Sequence, residues 1–133
     1  MTFLLDTNAC IRVLNGSSEK LVAELARHEP REILMSSVVK AELLFGARKS
    51  SKVEHNLALL ARFFAPFAVA PFDDRCAEHY GMLRADLERS GCPIGPNDLL
   101  IAATARAHDA VLVTANTGEF QRVVGLRVAN WEV

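Results

Sequence analysis

The sequence predicts an α/β fold of three layers, with helices on both faces of a mainly parallel sheet of about four to five strands. Two observations carry that expectation: short apolar runs without polar alternation recur along the chain, and segments of helical periodicity separate them. A third concerns function. Acidic residues stand directly after these runs or open the helices that follow. In open parallel sheets, ligands gather beyond the carboxyl ends of the strands, where the strand order reverses.

Taken in order, Thr2 to Leu5 is a first buried strand, and Thr7 to Leu14 is a helix with Ile11 and Leu14 on one face. Asn15-Gly16-Ser17-Ser18 turns the chain and supplies an N-cap to a helix whose apolar face is Leu21, Val22 and Leu25. Ile33 to Ser36 is a second strand. Val38 to Arg48 follows as a helix, its closing basic residues matched to the negative end of the dipole. Ser51 to Phe64 is helical and Phe67 to Ala70 a strand. Asp73 caps a long amphipathic helix through Glu88, stopped by Ser90-Gly91 and Pro93. Asn97 to His108 is a further helix, Val111 to Thr114 a buried strand, and Leu126 to Val128 the last strand. No repeat, linker or low-complexity tract interrupts this order, so residues 1–133 are expected to form a single domain.

Half of the residues are apolar, enough to build a core without disulfides or a structural metal. The longest apolar stretch, Leu57 to Phe72, is broken by Arg62, Pro66 and Pro71, so no membrane span is expected. Its phenylalanines, Phe63, Phe64, Phe67 and Phe72, have core spacing. The N-terminus lacks a positively charged region and carries an acid at its sixth position, unlike a signal peptide, and a cytoplasmic location is expected. Cys10, Cys76 and Cys92 form no Cys-x-x-Cys pair and read as buried, inert thiols. His28, His55, His79 and His108 include no pair at the i, i+4 spacing of a helical metal site, and read as surface or helix-end residues.

The formal net charge is −1. Setting four of the 16 acids aside in a metal site would leave 12 against 15 basic groups, so the total does not exclude an RNA partner.

Four segments hold the candidate chemistry. Asp6 follows Phe3-Leu4-Leu5 at the end of an interior strand; alone it also reads as a helix N-cap. Glu42 lies in a helix that is otherwise largely apolar, facing either a cleft or solvent, where Lys40 or Arg48 would pair with it. Asp98 falls in the first turn of a helix opened by Gly95-Pro96-Asn97, where capping is again the simpler role. The last segment, Thr114-Ala115-Asn116-Thr117-Gly118-Glu119, is a polar turn after a buried strand. Glu119 there is either a fourth ligand or an early-helix acid.

Leu4-Leu5-Asp6-Thr7-Asn8, Ser36-Ser37-Val38-Val39-Lys40-Ala41-Glu42-Leu43-Leu44-Phe45-Gly46, Pro96-Asn97-Asp98-Leu99-Leu100-Ile101-Ala102-Ala103 and Leu112-Val113-Thr114-Ala115-Asn116-Thr117-Gly118-Glu119-Phe120 together resemble the ordered motifs of PIN-domain ribonucleases. Within that family they resemble VapC toxins of type II toxin–antitoxin systems, as does the ending Val124-Gly125-Leu126-Arg127-Val128-Ala129-Asn130-Trp131.

The resemblance implies a PIN-like α/β/α fold and a Mg2+-dependent endoribonuclease, with Mn2+ as a substitute. Its catalytic acids would be Asp6, Glu42, Asp98 and Glu119, with Asp6 and Asp98 as the direct metal ligands. The family often has a further Asp in the last motif, where this chain has Asn116 and Glu119. Thr7, Asn8, Thr114 and Asn116 would either orient waters and carboxylates or serve only in capping and turn formation. Read from the residues themselves, Arg12, Lys40, Arg48, Lys49 and Lys52 are candidates to contact RNA phosphates, with a solvated helix connection as the other reading of Arg48 to Lys52. The resemblance further implies a homodimer, a small VapB-like antitoxin partner, inhibition of translation, and single-stranded RNA as substrate, with the anticodon loop of initiator tRNA as the target.

Two other readings compete. A haloacid-dehalogenase-like phosphatase also places an Asp after its first strand, but normally with a second Asp two residues on, where this chain has Asn8. A degenerate PIN module would bind RNA without cutting it.

Overall fold

The first strand, β1, is Phe3–Leu5 in the computed structural model, which describes residues 1–133. Leu4 and Leu5 are fully buried on opposite faces of the strand, as expected where helices cover both sides. Helices α1 (Thr7–Asn15) and α2 (Glu19–Ala26) follow, then a 3-10 turn over Pro30–Glu32 and β2 (Ile33–Ser36). Next come α3 (Ser37–Lys49), α4 (Val53–Phe64), β3 (Ala68–Ala70), α5 (Asp74–Arg89) and α6 (Pro96–Ala107). The chain ends with β4 (Val111–Val113), the single turn α7 (Thr117–Phe120) and β5 (Val128–Ala129).

All strand pairs are parallel, and the order is β3-β2-β1-β4-β5. Phe3 is in register with Ile33 on one side and Val111 on the other, so β1 is central. The sheet grows outward from β1 to β3, then restarts on the other side of β1 with β4. Right-handed crossovers then put α1 to α4 over one face and α5 and α6 over the other, which gives the three layers. The reversal also places the topological switch point between the carboxyl ends of β1 and β4. Asp6 and Thr114 are the residues that leave those two ends.

The helix starts follow from local chemistry. Asp6, Ser18, Ser36 and Asp73 each cap a helix by accepting a backbone N–H with the side chain. The buried Ser36 accepts from Val38 at 3.1 Å and from Val39 at 3.5 Å, and so fixes where α3 leaves β2. Ser36→Ala is expected to cost about 1 kcal/mol, read as a lower urea midpoint at unchanged m-value. Helix α6 is buried on nearly every side, from Ile101 to Ala105, because its alanines let α5 and the sheet approach closely.

Several sequence expectations shift. The last strand lies at Val128–Ala129 and leaves Leu126 out, because Gly125 at φ 78° turns the chain just before it. Val22 is exposed, so only Leu21 and Leu25 anchor α2. Cys92 is exposed rather than buried, whereas Cys10 and Cys76 are buried free thiols. His28 is not a simple surface residue: it stacks on Trp131 with ring centroids 4.9 Å apart. The four phenylalanines of the 57–72 stretch pack against the core as expected. No helix is long and apolar enough to cross a membrane.

Candidate active site

Asp6 lies at the switch point and is only 6% exposed. Its N–H donates to the Val113 carbonyl at 3.0 Å, tying it to β4, and its Oδ1 accepts the Ala9 N–H at 2.8 Å. Capping uses only one carboxylate oxygen. Burial pushes the Asp6 carboxyl above the ordinary range, partly offset by the Thr114 hydroxyl, the Ala9 N–H and the charge of Arg12.

Glu42 projects from α3 toward α1, where the Thr7 hydroxyl donates to its Oε1 at 2.6 Å. It forms no ion pair with Lys40 or Arg48. This hydrogen bond joins the first and second motifs across 35 residues of sequence. Thr7→Val would leave Glu42 free to swing, and about a tenfold loss of cleavage rate is expected in a single-turnover assay, without loss of fold.

Asp98, in the first turn of α6, is pushed up to about 6, first by burial and then by the negative charges of Glu119, Asp6 and Glu42. The same coupling brings the four predicted acids into one field although they come from four separate elements. Glu119 is oriented by two donors: the Gly95 N–H at 3.1 Å and the Asn116 Nδ2 at 2.7 Å. Asn116 in turn donates its backbone N–H to the Thr114 hydroxyl at 2.9 Å. Asn116 is therefore the residue that sets Glu119, and Glu119 is the acid beside Asp98.

Two openings flank Asn8 on the acidic surface. One, of about 770 Å3, runs between α1 and α3 and includes Thr7, Glu42, Ser37, Phe45 and Asn97. The other, of about 270 Å3, is polar and is formed by Asp6, Asn8, Arg12, Ala115 and Asn116. Arg12 is the predicted basic residue that comes closest to the acids; its Nη1 lies 3.2 Å from Glu132 Oε2. Lys49 approaches the first opening indirectly, with its ammonium 5.8 Å from the Phe45 ring centre. The structure does not bring Lys40 to the acids: two residues from Glu42, it points to the other side of α3 and sits over Phe64 at 4.8 Å. Arg48 is exposed and makes no ion pair.

Sequence reasoning missed Asn97 and Glu132. The former adjoins the Asp98 motif and reads in the sequence only as a turn residue. The latter lies next to the C-terminus, where no local pattern marks a role.

All four acids offer oxygen, the donor type that Mg2+ and Mn2+ prefer. Burial first, and then their mutual repulsion, raises Asp98, and the one guanidinium beside them is already paired, so the arrangement fits a divalent cation. No three of the side chains converge in a ready-made cage.

A five-stranded parallel sheet with carboxylates from four motifs at one edge is the arrangement of a class of nuclease folds, to which its family match assigns the chain. The chain belongs to the PIN domain family, whose profile it matches over residues 3–126. It is 40% identical over 131 residues to the tRNA(fMet)-specific endonuclease VapC of Shigella flexneri, with 98% of each chain covered. It is also 40% identical to ribonuclease VapC2 of Rickettsia felis, with 99% of each covered. Among solved structures it is similar to VapBC2 from Rickettsia felis bound to a promoter DNA fragment. There the TM-score is 0.92 at 39% identity, with 98% of this chain and 99% of that one covered. The DNA-bound VapBC of Salmonella typhimurium gives the same TM-score at 37% identity, with 98% of each covered. The phosphatase alternative falls with this membership and with the lack of a carboxylate at position eight.

Proposed function

We propose that this chain is a Mg2+-dependent endoribonuclease and the toxin of a toxin–antitoxin pair, with residues 1–133 acting as one PIN domain. Its substrate is single-stranded RNA, and the identity to a tRNA(fMet)-specific relative favours the anticodon loop of initiator tRNA. Cleavage there would inhibit translation. The partner is a small VapB-like antitoxin, in keeping with similar VapBC complexes, and the working form is a cytoplasmic homodimer.

The observation that carries the reading is that the four acids are held at one edge of the sheet: Asp6 caps α1 after β1, Thr7 beside it holds Glu42, and the Gly95 N–H at the start of the Asp98 helix holds Glu119. Acids that repel one another, one of them buried and three partly so, destabilise a fold, and a bound cation offsets that cost. Asp6 and Asp98 would hold Mg2+ directly, with Mn2+ as a substitute, and Glu42 and Glu119 would complete its surroundings. When bound, the metal makes water nucleophilic at neutral pH and neutralises charge on the phosphoryl oxygens. The chain's own residues prepare the site. Thr7 fixes one oxygen of Glu42 and leaves the other available, Asn116 aims Glu119, and the Ala9 N–H holds one oxygen of Asp6. Asn8 stands between the two openings, able to hold a water or a phosphate oxygen. Arg12, with Arg48 and Lys49 farther out, would meet the RNA backbone.

The test is incubation of purified protein with total RNA and with initiator tRNA, in Mg2+ or in chelator, followed by sequencing of the new 5′ ends. Discrete internal cuts that need the metal are expected. RNA binding without cutting would overturn the reading and leave a degenerate binding module.

A further inference from the structure

The C-terminal residues take no part in the chemistry above, yet they are fixed against the site from two sides. Strand β5 pairs with β4, and the Thr114 N–H donates to the Ala129 carbonyl at 3.0 Å. Because β5 is parallel to β4, the chain leaves it at the acidic end of the sheet. Asn130 then turns it, its Oδ1 accepting the Glu132 N–H at 2.9 Å. Trp131 is held between Phe3, at 5.0 Å, and His28, which stacks on it at an interplanar angle of 2°. These contacts leave Glu132 little freedom. Its side chain is only 16% exposed and ends 3.2 Å from Arg12 Nη1.

A fifth carboxylate beside four acids adds to their repulsion, and the charge of Glu132 raises the Asp6 carboxyl further. Arg12 feels the charge of Asp6 and, if free, would be drawn onto it. Glu132 offers a competing partner that is not itself part of the lining of the polar opening. It keeps the guanidinium beside that opening, where Asn8 and Asn116 supply further hydrogen-bonding groups. A guanidinium with several donors can keep one carboxylate partner and still present the others to a phosphate.

We infer that Glu132 is a positioning residue: anchored through Trp131, it holds Arg12 off Asp6 and presents it to an RNA phosphate next to the one being cut. This rests on the endoribonuclease reading and goes beyond it, because it gives the Asn130-Trp131-Glu132 ending a role in substrate binding.

The test compares Arg12→Gln, Glu132→Gln and the double variant on a short single-stranded RNA. Glu132→Gln is nearly isosteric, and an unchanged melting temperature confirms its fold. Arg12→Gln is expected to raise KM about tenfold, and Glu132→Gln about fivefold, with the larger effect on KM rather than kcat. Each should lower the slope of log KM against log salt by about 0.7, the loss of one phosphate contact on a single strand. The double variant should match Arg12→Gln, since Glu132 acts only through that residue. A fall in KM for Glu132→Gln would show that Glu132 merely shields Arg12 and would overturn the inference. So would multiplicative effects in the double variant, or a loss of kcat and melting temperature at unchanged KM. Wild-type protein that produces no RNA fragments in Mg2+ fails the endoribonuclease reading itself, and the inference falls with it.

Discussion

Asp6→Asn is expected to lower RNA cleavage by about three orders of magnitude while the protein stays folded. The substitution separates the two roles that this position combines. As a helix cap, asparagine is as good as aspartate, and its Oδ1 can still accept the Ala9 N–H now held at 2.8 Å. As a metal ligand it is far poorer, because it brings no charge to a site whose function is to concentrate charge. The loss corresponds to about 4 kcal/mol of transition-state stabilisation, well above the cost of losing a cap. Burial holds the Asp6 carboxyl above its ordinary range, so removing the charge also relieves a penalty at neutral pH. The metal-free variant should therefore melt at or above the wild-type temperature. Cleavage rates and melting curves on the same preparation check both halves. Retained activity would remove Asp6 from the chemistry, and a lower melting temperature would mean that its charge, not only its cap, stabilises the fold.

That separation marks what the sequence reveals and what it does not. The strands and helices were legible because continuous apolar runs and 3.6-residue periodicity report burial directly, and the caps at Ser18 and Asp73 fall where the pattern puts them. The end of the sheet was less legible. Leu126-Arg127-Val128 has the apolar character of a strand, but pairing is decided by the turn at Gly125, and the ladder begins two residues late. Within the site, residues following strands could be found from order alone, since a parallel sheet delivers them all to one edge. Asp6 and Glu119 belong to this group, whereas Asp98 opens α6, which follows α5 and reaches the same edge because it runs back along the sheet before β4. The direction of a helical side chain is harder to read. Glu42 and Lys40 differ by two positions, and only packing against α1 and α4 shows that one meets Thr7 while the other meets Phe64. The Glu132–Arg12 pair spans 120 residues and rests on an aromatic contact between Trp131 and His28, so nothing local announces it.

The largest effect expected on stability concerns Asp98 and reverses the usual pH dependence of a carboxylate. Folding raises its pKa from 3.8 to about 6, so between those values the folded state holds more proton than the unfolded state. Stability contributed by this group is fully present below pH 3.8, falls as pH rises through 6, and is level above that. The carboxyl is only partly buried, and solvent screening brings the change to about 1 kcal/mol, less than full linkage would give. Glu32 and Asp73 act in the opposite sense, because backbone N–H donors hold them below the ordinary range and their contribution is lost on acidification. The informative quantity is thus the difference between wild type and Asp98→Asn, melted across the same pH series in chelator. That difference should grow in favour of the variant as pH rises from about 4 to about 6 and then stay level. Excess Mg2+ should restore the wild type at neutral pH by about 2–3 kcal/mol at a hundredfold excess over Kd, and should leave the variant nearly unmoved. Equal stabilisation of both proteins by Mg2+ would place the cation elsewhere, and a difference independent of pH would mean that the acids do not share one field.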